Sequence, residues 1–200
     1  MRSKRLFITA VVVSCLAAAG FAGYLFVKET STRQIPVYGQ APMFEFTDSE
    51  GKLFNTRQLS GKIWVTDFFF TTCGSICPVM TANMAKLYRS YKLEDDVAFV
   101  SVTVNPETDT PERLREYAAK FDADPAQWHF LTGDREEITR VAVNGFKVGS
   151  VDEPVFHSSY FILVDRRGRI RGYYDSLDQR NIRAVFKDIA QLLKEGRREP

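Results

Sequence analysis

The 200-residue chain has only three cysteines and two histidines, and it lacks a strong excess of charge of either sign. Its formal net charge is +2, from 27 basic and 25 acidic residues that are interspersed along the chain. This balance argues against nucleic-acid binding, which needs a clustered basic surface. Internal repeats and low-complexity segments are also absent, so we predict one domain of ordinary size with its own core.

One long hydrophobic run is present, near the N-terminus. Residues 6–27 are uncharged and mostly apolar, and they follow a basic cluster. A run of about 20 residues spans a bilayer as a helix, whereas a signal-peptide core is about 7–15 residues long. We therefore predict a single transmembrane helix within residues 1–29, or an uncleaved signal. The basic flank predicts a single-pass protein of the bacterial inner membrane with its soluble domain on the periplasmic side.

Cys15 lies inside this hydrophobic run. Residues 12–15 resemble the cleavage box of a bacterial lipoprotein, but the apolar run continues well beyond the cysteine. We interpret Cys15 as a lipid-facing residue of the membrane segment. A lipidated Cys15 and a cleaved N-terminus remain as alternatives.

The order of the remaining segments predicts the fold. We interpret residues 30–40 as a tether, 41–195 as the folded domain and 196–200 as a polar tail. Residues 43–54 carry a β-hairpin signature, and strands then alternate with helices, which predicts a largely parallel sheet covered on both faces. The predicted strands are 62–70, 97–104, 128–131, 159–164 and 169–174, and helices follow from Pro78, Thr110, Asp134 and Asp178. This order predicts an α/β, thioredoxin-like fold with an N-terminal hairpin and an inserted helix and strand.

Cys73 and Cys77 lie at a turn between a buried strand and a helix that begins at Pro78. At such a turn, backbone N–H groups and the helix dipole favour thiolate. A disulfide across so short a loop adds little stability, so we interpret the pair as chemical: thiol–disulfide exchange or binding of a soft metal. Pro78 disfavours helical geometry at Cys77, which predicts a loop between the two sulfurs rather than a full helical turn.

His157 precedes the strand that runs close to the thiol loop in a thioredoxin-like fold. A site of two thiolates and one imidazole holds copper as Cu(I) or Cu(II), so we predict His157 as the third ligand. His129 lies between Trp128 and Phe130, and we predict that it points to the opposite face, at the surface.

Three other residues invite a functional reading. Met80 and Met84 have helical spacing, which predicts core positions rather than thioether ligands. Asp67 is an acid inside an apolar strand. It is either an acceptor near the thiols or a strand residue with another partner, and the sequence leaves both readings open.

Four stretches of the chain resemble the Sco family, also called SenC, of copper-handling proteins. They are residues 67–78, 102–111, 128–133 and 157–165, within a resemblance that covers roughly 39–193. The resemblance implies a membrane anchor, a thioredoxin-like domain and copper ligands at Cys73, Cys77 and His157. One departure is that many members carry Pro-Asp after the first cysteine, where this chain has Gly74 and Ser75. A proton or metal role for a carboxylate at that position is therefore not carried over.

The resemblance implies a copper metallochaperone that matures the binuclear copper centre of cytochrome c oxidase. Its implied partners are the copper-receiving subunit of the oxidase and a protein that reduces the thiol pair. The alternative is a thiol–disulfide oxidoreductase that reduces cysteines of the oxidase subunit or of other extracytoplasmic targets, which would not need His157. A peroxiredoxin-like peroxidase is disfavoured because Phe69 and Phe70 stand beside the site in place of the expected Pro and Thr, and a purely structural interaction domain is disfavoured too.

Overall fold

The computed structural model of the protein describes residues 34–149 and 158–196, together with Ser14, Gly20 and Phe21. The chain divides into two units, Met1–Gln34 and Ile35–Pro200. Among the described residues, no helix is both long and apolar enough to cross a membrane. Cys15 and most of the predicted transmembrane segment lie outside the described residues.

The second unit is built on one mixed sheet of eight strands. The strands are β1 (Gly39–Gln40), β2 (Glu45–Asp48), β3 (Leu53–Asn55), β4 (Ile63–Phe69), β5 (Val97–Thr103), β6 (Trp128–Thr132), β7 (Tyr160–Val164) and β8 (Arg169–Asp175). Their order in the sheet is β1-β8-β7-β4-β5-β6-β2-β3. Among the described strands, the pairs β4–β5 and β5–β6 are parallel and the other five pairs are antiparallel, so the expectation of a largely parallel sheet was wrong.

In the described part of this unit four helices cover the sheet, and a 3-10 turn at Thr56–Leu59 joins β3 to β4. The helices are α1 (Cys77–Tyr91), α2 (Pro111–Ala119), α3 (Arg135–Thr139) and α4 (Gln179–Gly196). Thr110 and Asp134 cap α2 and α3 by accepting backbone N–H bonds, as their positions predicted. After α3 the chain continues as a π-helical segment over Arg140–Gly145.

Strand β4 shows why the sheet has a core on each face. All seven of its residues are buried, and successive side chains point to opposite faces. Val65 and Phe69 pack with the side chains of α1, α2 and α4, whereas Trp64 and Phe68 pack with those of the hairpin and the π-helical segment. A strand covered on both faces reads as a continuous apolar run, which is the pattern that identified it.

The folded unit begins inside the segment that the sequence suggested as a tether. Ile35 is buried in the core, and Gly39–Gln40 pairs with β8 as the edge strand β1. Arg171 of β8 donates to the carbonyl oxygens of Ile35 at 2.8 Å and Pro36 at 3.1 Å. These bonds hold the start of the unit against the sheet. A two-residue strand carries too little periodicity to be predicted from sequence.

Candidate metal and redox site

The two cysteines lie together in the connection between β4 and α1. Both are buried, and neither is bridged. The backbone N–H of Cys77 donates to Sγ of Cys73 at 3.5 Å. Helix α1 begins at Cys77, one residue before the predicted start, and Pro78 occupies its first turn, where a missing N–H costs nothing. The first turn of α1 thus directs a backbone N–H at the sulfur of Cys73 and carries the sulfur of Cys77.

Cys73 is the more acidic of the two thiols. Burial alone raises its pKa, but the N–H groups of Cys77 and Ser75 and the Ser75 hydroxyl stabilise the thiolate by more than burial disfavours it. The pKa of Cys73 is consequently lowered to about 7. The Ser75 hydroxyl lies 3.6 Å from Sγ of Cys73. The Ser75 hydroxyl and backbone N–H therefore support the negative charge on the Cys73 sulfur.

Cys77 has the opposite character. Burial raises its pKa, and the neighbouring Cys73 and the carboxyl of Asp67 raise it further, to about 12. Near neutral pH a substantial fraction of Cys73 is therefore thiolate, whereas Cys77 is a protonated thiol. The Cys73 thiolate is therefore available immediately as a nucleophile or a soft metal ligand. Cys77 can take either role only after its thiol loses a proton.

Asp67 lies on the same face of β4 as Val65 and Phe69, because it is two residues away from each of them. Val65 and Phe69 belong to the core cluster that contains the two cysteines, so this face also faces the thiols. Its side chain is 1 % exposed, and neither carboxyl oxygen has a hydrogen-bond partner among the described residues. Burial raises the pKa of Asp67 to about 7, although the nearby Ser101 hydroxyl, outside hydrogen-bond geometry, offsets part of the effect. Asp67 is therefore close to the thiols, as the first of the two sequence readings expected, but it accepts no hydrogen bond among the described residues.

A second buried acid, Asp109, holds the segment of chain that precedes Cys73. Its carboxylate accepts the N–H of Thr71 at 3.0 Å and the Thr71 hydroxyl at 2.5 Å. It also accepts the Thr103 hydroxyl at 2.5 Å, and Arg113 donates to the Thr71 hydroxyl at 3.0 Å. The network ties the segment before Cys73 to the end of β5. We did not identify Asp109 from the sequence, although its place before the Thr-Pro start of a helix is a visible signal.

Tyr117 of α2 and Thr81 of α1 close the site from the helix side. The two hydroxyls lie 3.0 Å apart, and Thr81 donates to the carbonyl of Cys77 at 2.9 Å. Burial raises the pKa of Tyr117 to about 12, so its hydroxyl stays neutral. The ring of Tyr117 stacks at 5.3 Å on that of Phe69, at the end of β4. These contacts fix the first turn of α1 relative to the sheet.

The structure places the other predicted residues as follows. His157 lies outside the described residues, and within those residues no cluster of three or more His, Cys, Asp or Glu side chains is suited to a metal. Met80 and Met84 are fully buried, which confirms the core prediction. His129 was predicted to lie at the surface, and this was wrong. It does point away from the core of Trp128 and Phe130, but the N-terminal hairpin covers it.

The cover over His129 is the ring of Phe54 in β3, whose centroid is 4.6 Å from that of the imidazole. Burial lowers the pKa of His129 to about 4, so the imidazole is neutral near pH 7. Hairpin strand β2 pairs with β6, the strand that carries His129. That long-range pairing, which local sequence does not reveal, turns a solvent-facing position into a half-buried one.

Two thiols in one turn are a soft donor set, and thiolate favours soft or borderline metals, Cu(I) among them. The same pair can close to a disulfide and open again by thiol exchange. Because the loop is fastened by Asp109 on one side and by α1 on the other, the sulfurs are held close together in the reduced state. The arrangement is suited to metal binding and to two-electron redox chemistry.

Comparison with known proteins places this architecture in a family. The sequence profile described as SCO1/SenC matches residues 34–194. A SCO1/SenC family lipoprotein from Bacillus anthracis is 37% identical, with a TM-score of 0.72 over 82% of this chain and 99% of that chain. BsSco, described as having a disulfide switch and as a member of the Sco family of cytochrome c oxidase assembly proteins, is 32% identical, with a TM-score of 0.71 over 80% and 98%.

A third similar structure holds a metal. ScoI from Bradyrhizobium japonicum, solved with copper bound, is 25% identical, with a TM-score of 0.63 over 76% of this chain and 99% of that chain. The family profile covers both the thiol turn and the whole sheet, and these structures share the fold around it. The chain belongs to the SCO1/SenC family, and its fold is the thioredoxin-like fold of that family.

Proposed function

We propose that this protein is a membrane-anchored copper carrier of the periplasmic side that supplies the binuclear copper centre of cytochrome c oxidase. Cys73 and Cys77 hold the copper as thiolates, and His157 completes the site. The observation that carries the proposal is the convergence of two thiols of unequal acidity on one helix N-terminus. A copper-bound relative and an oxidase-assembly relative of the same fold support it.

The unequal thiols suit a carrier that must both take and release its cargo. The Cys73 thiolate is available near neutral pH, so it makes the first bond to incoming Cu(I). Cys77 loses its proton as copper binds, because metal binding displaces protons from its ligands. Release to a target with its own cysteines then proceeds by exchange of one thiolate ligand after another, with a proton returning to Cys77.

The test is copper binding by the reduced full-length protein in detergent, without oxygen. We expect about one Cu(I) per chain in competition with a chromogenic chelator, and loss of that binding in Cys73→Ser and in Cys77→Ser. With Cu(II), we expect a thiolate-to-copper absorption band and nitrogen coupling in the electron paramagnetic resonance spectrum.

The two histidines provide a matched control. His157→Ala should abolish the nitrogen coupling and weaken copper binding by about tenfold or more, which corresponds to about 1.4 kcal/mol. His129→Asn should leave both unchanged, because that ring lies under Phe54. Full-strength copper binding in the double variant Cys77→Ser, His157→Ala would defeat the assignment.

A second candidate function is reduction of disulfides in the oxidase subunit or another extracytoplasmic target. The 3.5 Å contact between the Cys77 N–H and the Cys73 sulfur favours it, since a nucleophilic and a resolving thiol must lie side by side. The Cys73 thiolate attacks the target disulfide, and one target thiol leaves. Cys77 then attacks the mixed disulfide, so the target gains two electrons and a Cys73–Cys77 disulfide forms, which a separate dithiol protein must reduce.

The requirement for His157 distinguishes the two functions. A carrier requires the imidazole, whereas a reductase does not. Oxidase assembly in cells that contain only the His157→Ala variant should fail if the protein carries copper. Normal assembly in those cells, together with failure in Cys77→Ser cells, would select the reductase.

A further inference from the structure

A groove lies at the end of the sheet opposite the thiols. It has a volume of about 440 Å³ and runs between the segment after β1, the 3-10 turn and the β7–β8 turn. Trp64, at the start of β4, lines it, whereas the thiol turn follows the end of that strand. The two sites are therefore separated by roughly 20 Å, the length of a seven-residue strand.

Three arginines lie around this groove. They are Arg57, Arg166 and Arg167, and none of the described residues that line the groove carries a carboxylate, although Asp96 beside it pairs with Arg166. Arg166 is held in place by bonds to the carbonyl of Gly61 at 3.1 Å and to Asp96 at 3.0 Å. Arg57 and Arg167 are exposed. Guanidinium groups in this arrangement are suited to phosphate, which they bind through paired N–H donors.

Three exposed apolar side chains lie in, or just before, the segment of chain that lines the groove. Met43 lines the groove and is 56% exposed, and Val37 and Tyr38, just before β1, are 52% and 61% exposed. Tyr38 packs edge-on against Tyr173, with ring centroids 5.6 Å apart. Exposed apolar groups next to cations, including a tyrosine, are typical of surfaces that sit at a membrane–water interface.

The folded unit also begins at this end of the sheet. Arg171, which binds the carbonyls of Ile35 and Pro36, is paired with Asp165 at 2.8 Å, and Asp165 immediately precedes Arg166. The predicted membrane run ends at Val27, so residues 28–34 connect that run to the folded unit. Seven residues reach at most about 25 Å. A bilayer that holds the N-terminal run therefore lies within reach of this face.

We propose that this face, formed by Val37, Tyr38, Met43, Arg57, Arg166 and Arg167, docks on anionic phospholipid. The arginines bind headgroup phosphates, and Met43 and Tyr38 contact the apolar boundary of the bilayer. The inference rests on the membrane attachment in the proposed function. Docking by this face points the thiol turn away from the bilayer, where a partner in the aqueous phase can reach it.

Photocrosslinking of the full-length protein in lipid nanodiscs tests the docking face. The variant Met43→p-benzoylphenylalanine should form lipid adducts, detected by mass spectrometry, in discs that contain phosphatidylglycerol. The same crosslinker at Leu177, an exposed residue at the thiol end of β8, should form none. Adding Arg57→Gln with Arg167→Gln should reduce the adducts at position 43 at least fivefold, since each arginine near an anionic surface contributes to binding. The charge-matched pair Arg89→Gln with Arg183→Gln, on exposed faces of α1 and α4, should not.

The outcomes distinguish a failure of membrane attachment from a failure of docking by this face. A chain that does not enter nanodiscs contradicts the membrane attachment itself. A chain that enters them but gives no lipid adduct at position 43, or equal adducts at positions 43 and 177, overturns the docking face alone. Equal adduct yields in discs of phosphatidylcholine only, or yields unaffected by the arginine changes, would also overturn it, because headgroup charge would then play no part.

Discussion

The backbone N–H of Cys77 points at the sulfur of Cys73 from 3.5 Å, so the helix that carries one thiol acidifies the other. This bond belongs to the backbone and survives replacement of the Cys77 side chain. The side chain of Cys77, in contrast, is deprived of solvent by the same packing. A single local geometry therefore produces both the reactive and the unreactive sulfur.

The first prediction concerns thiol reactivity in the reduced, metal-free protein. In Cys77→Ser, alkylation of Cys73 by iodoacetamide should rise with pH about a midpoint near 7, because the donating N–H is retained. In Cys73→Ser, alkylation of Cys77 should be slow up to at least pH 9. Rates measured by mass spectrometry across pH check both, and similar midpoints for the two thiols would contradict the assigned asymmetry.

The second prediction concerns Asp109. In Asp109→Asn, an amide replaces one acceptor oxygen, so at least one of the bonds to Thr71 and Thr103 is lost. We expect the free energy of unfolding to fall by about 1–3 kcal/mol, the cost of an unsatisfied buried group. We also expect altered alkylation kinetics at Cys73, because the segment before it is released.

Asp188→Asn is the matched control for this change. Asp188 is also buried, but it accepts the hydroxyl of Tyr174 at 2.7 Å rather than a group of the thiol loop. Chemical unfolding should show a loss of stability in both variants, and alkylation should change only in Asp109→Asn. Equal alkylation rates in the two variants would mean that the Asp109 network stabilises the fold without positioning the thiol.

The third prediction concerns the pH dependence of stability that Asp67 produces. Its pKa is about 7 in the fold and near 4 in the unfolded chain, so the folded state favours the protonated acid. The stability that Asp67 contributes is complete below pH 4 and is lost as pH rises through 7, by up to about 1.4 kcal/mol per pH unit.

Asp67→Asn removes this titration. The stability of the variant relative to the wild type should therefore increase between pH 4 and 7 and level off above, as measured by urea unfolding of the reduced, metal-free protein. A flat difference over this range would show that the buried carboxyl is already ionised at low pH.

The fourth prediction concerns His129, which acts in the opposite direction. Its pKa is about 4 in the fold and near 6.5 when unfolded, so the fold favours the neutral ring. The stability it contributes is complete above pH 6.5 and is lost as pH falls through 4. Between these values the effects of Asp67 and His129 oppose one another and flatten the wild-type profile.

Nuclear magnetic resonance isolates the histidine. The Hε1 signal that disappears in His129→Gln should titrate with a midpoint near pH 4 in the wild-type protein. A midpoint near 6.5 would mean that the Phe54 hairpin does not shield the ring in solution.

Much of the fold was predictable because it is encoded locally. The apolar run of β4, the helical spacing of Met80 and Met84 and the cap at Asp134 each depend on neighbours within a few residues. The thiol turn was predictable for the same reason, since a strand, two cysteines and a proline follow one another directly. What failed depended on distant pairing: β1 against β8, and the hairpin over His129.

The sequence by itself determined that two thiols stand at a strand-to-helix turn, because the residues that build the turn are contiguous. Only the tertiary structure decided how those thiols differ, since their pKa values depend on burial and on a backbone bond whose direction follows from packing. It also decided that Thr71 is held by an acid 38 positions away. Contacts between distant segments form only when the sheet assembles, so local sequence patterns do not predict them.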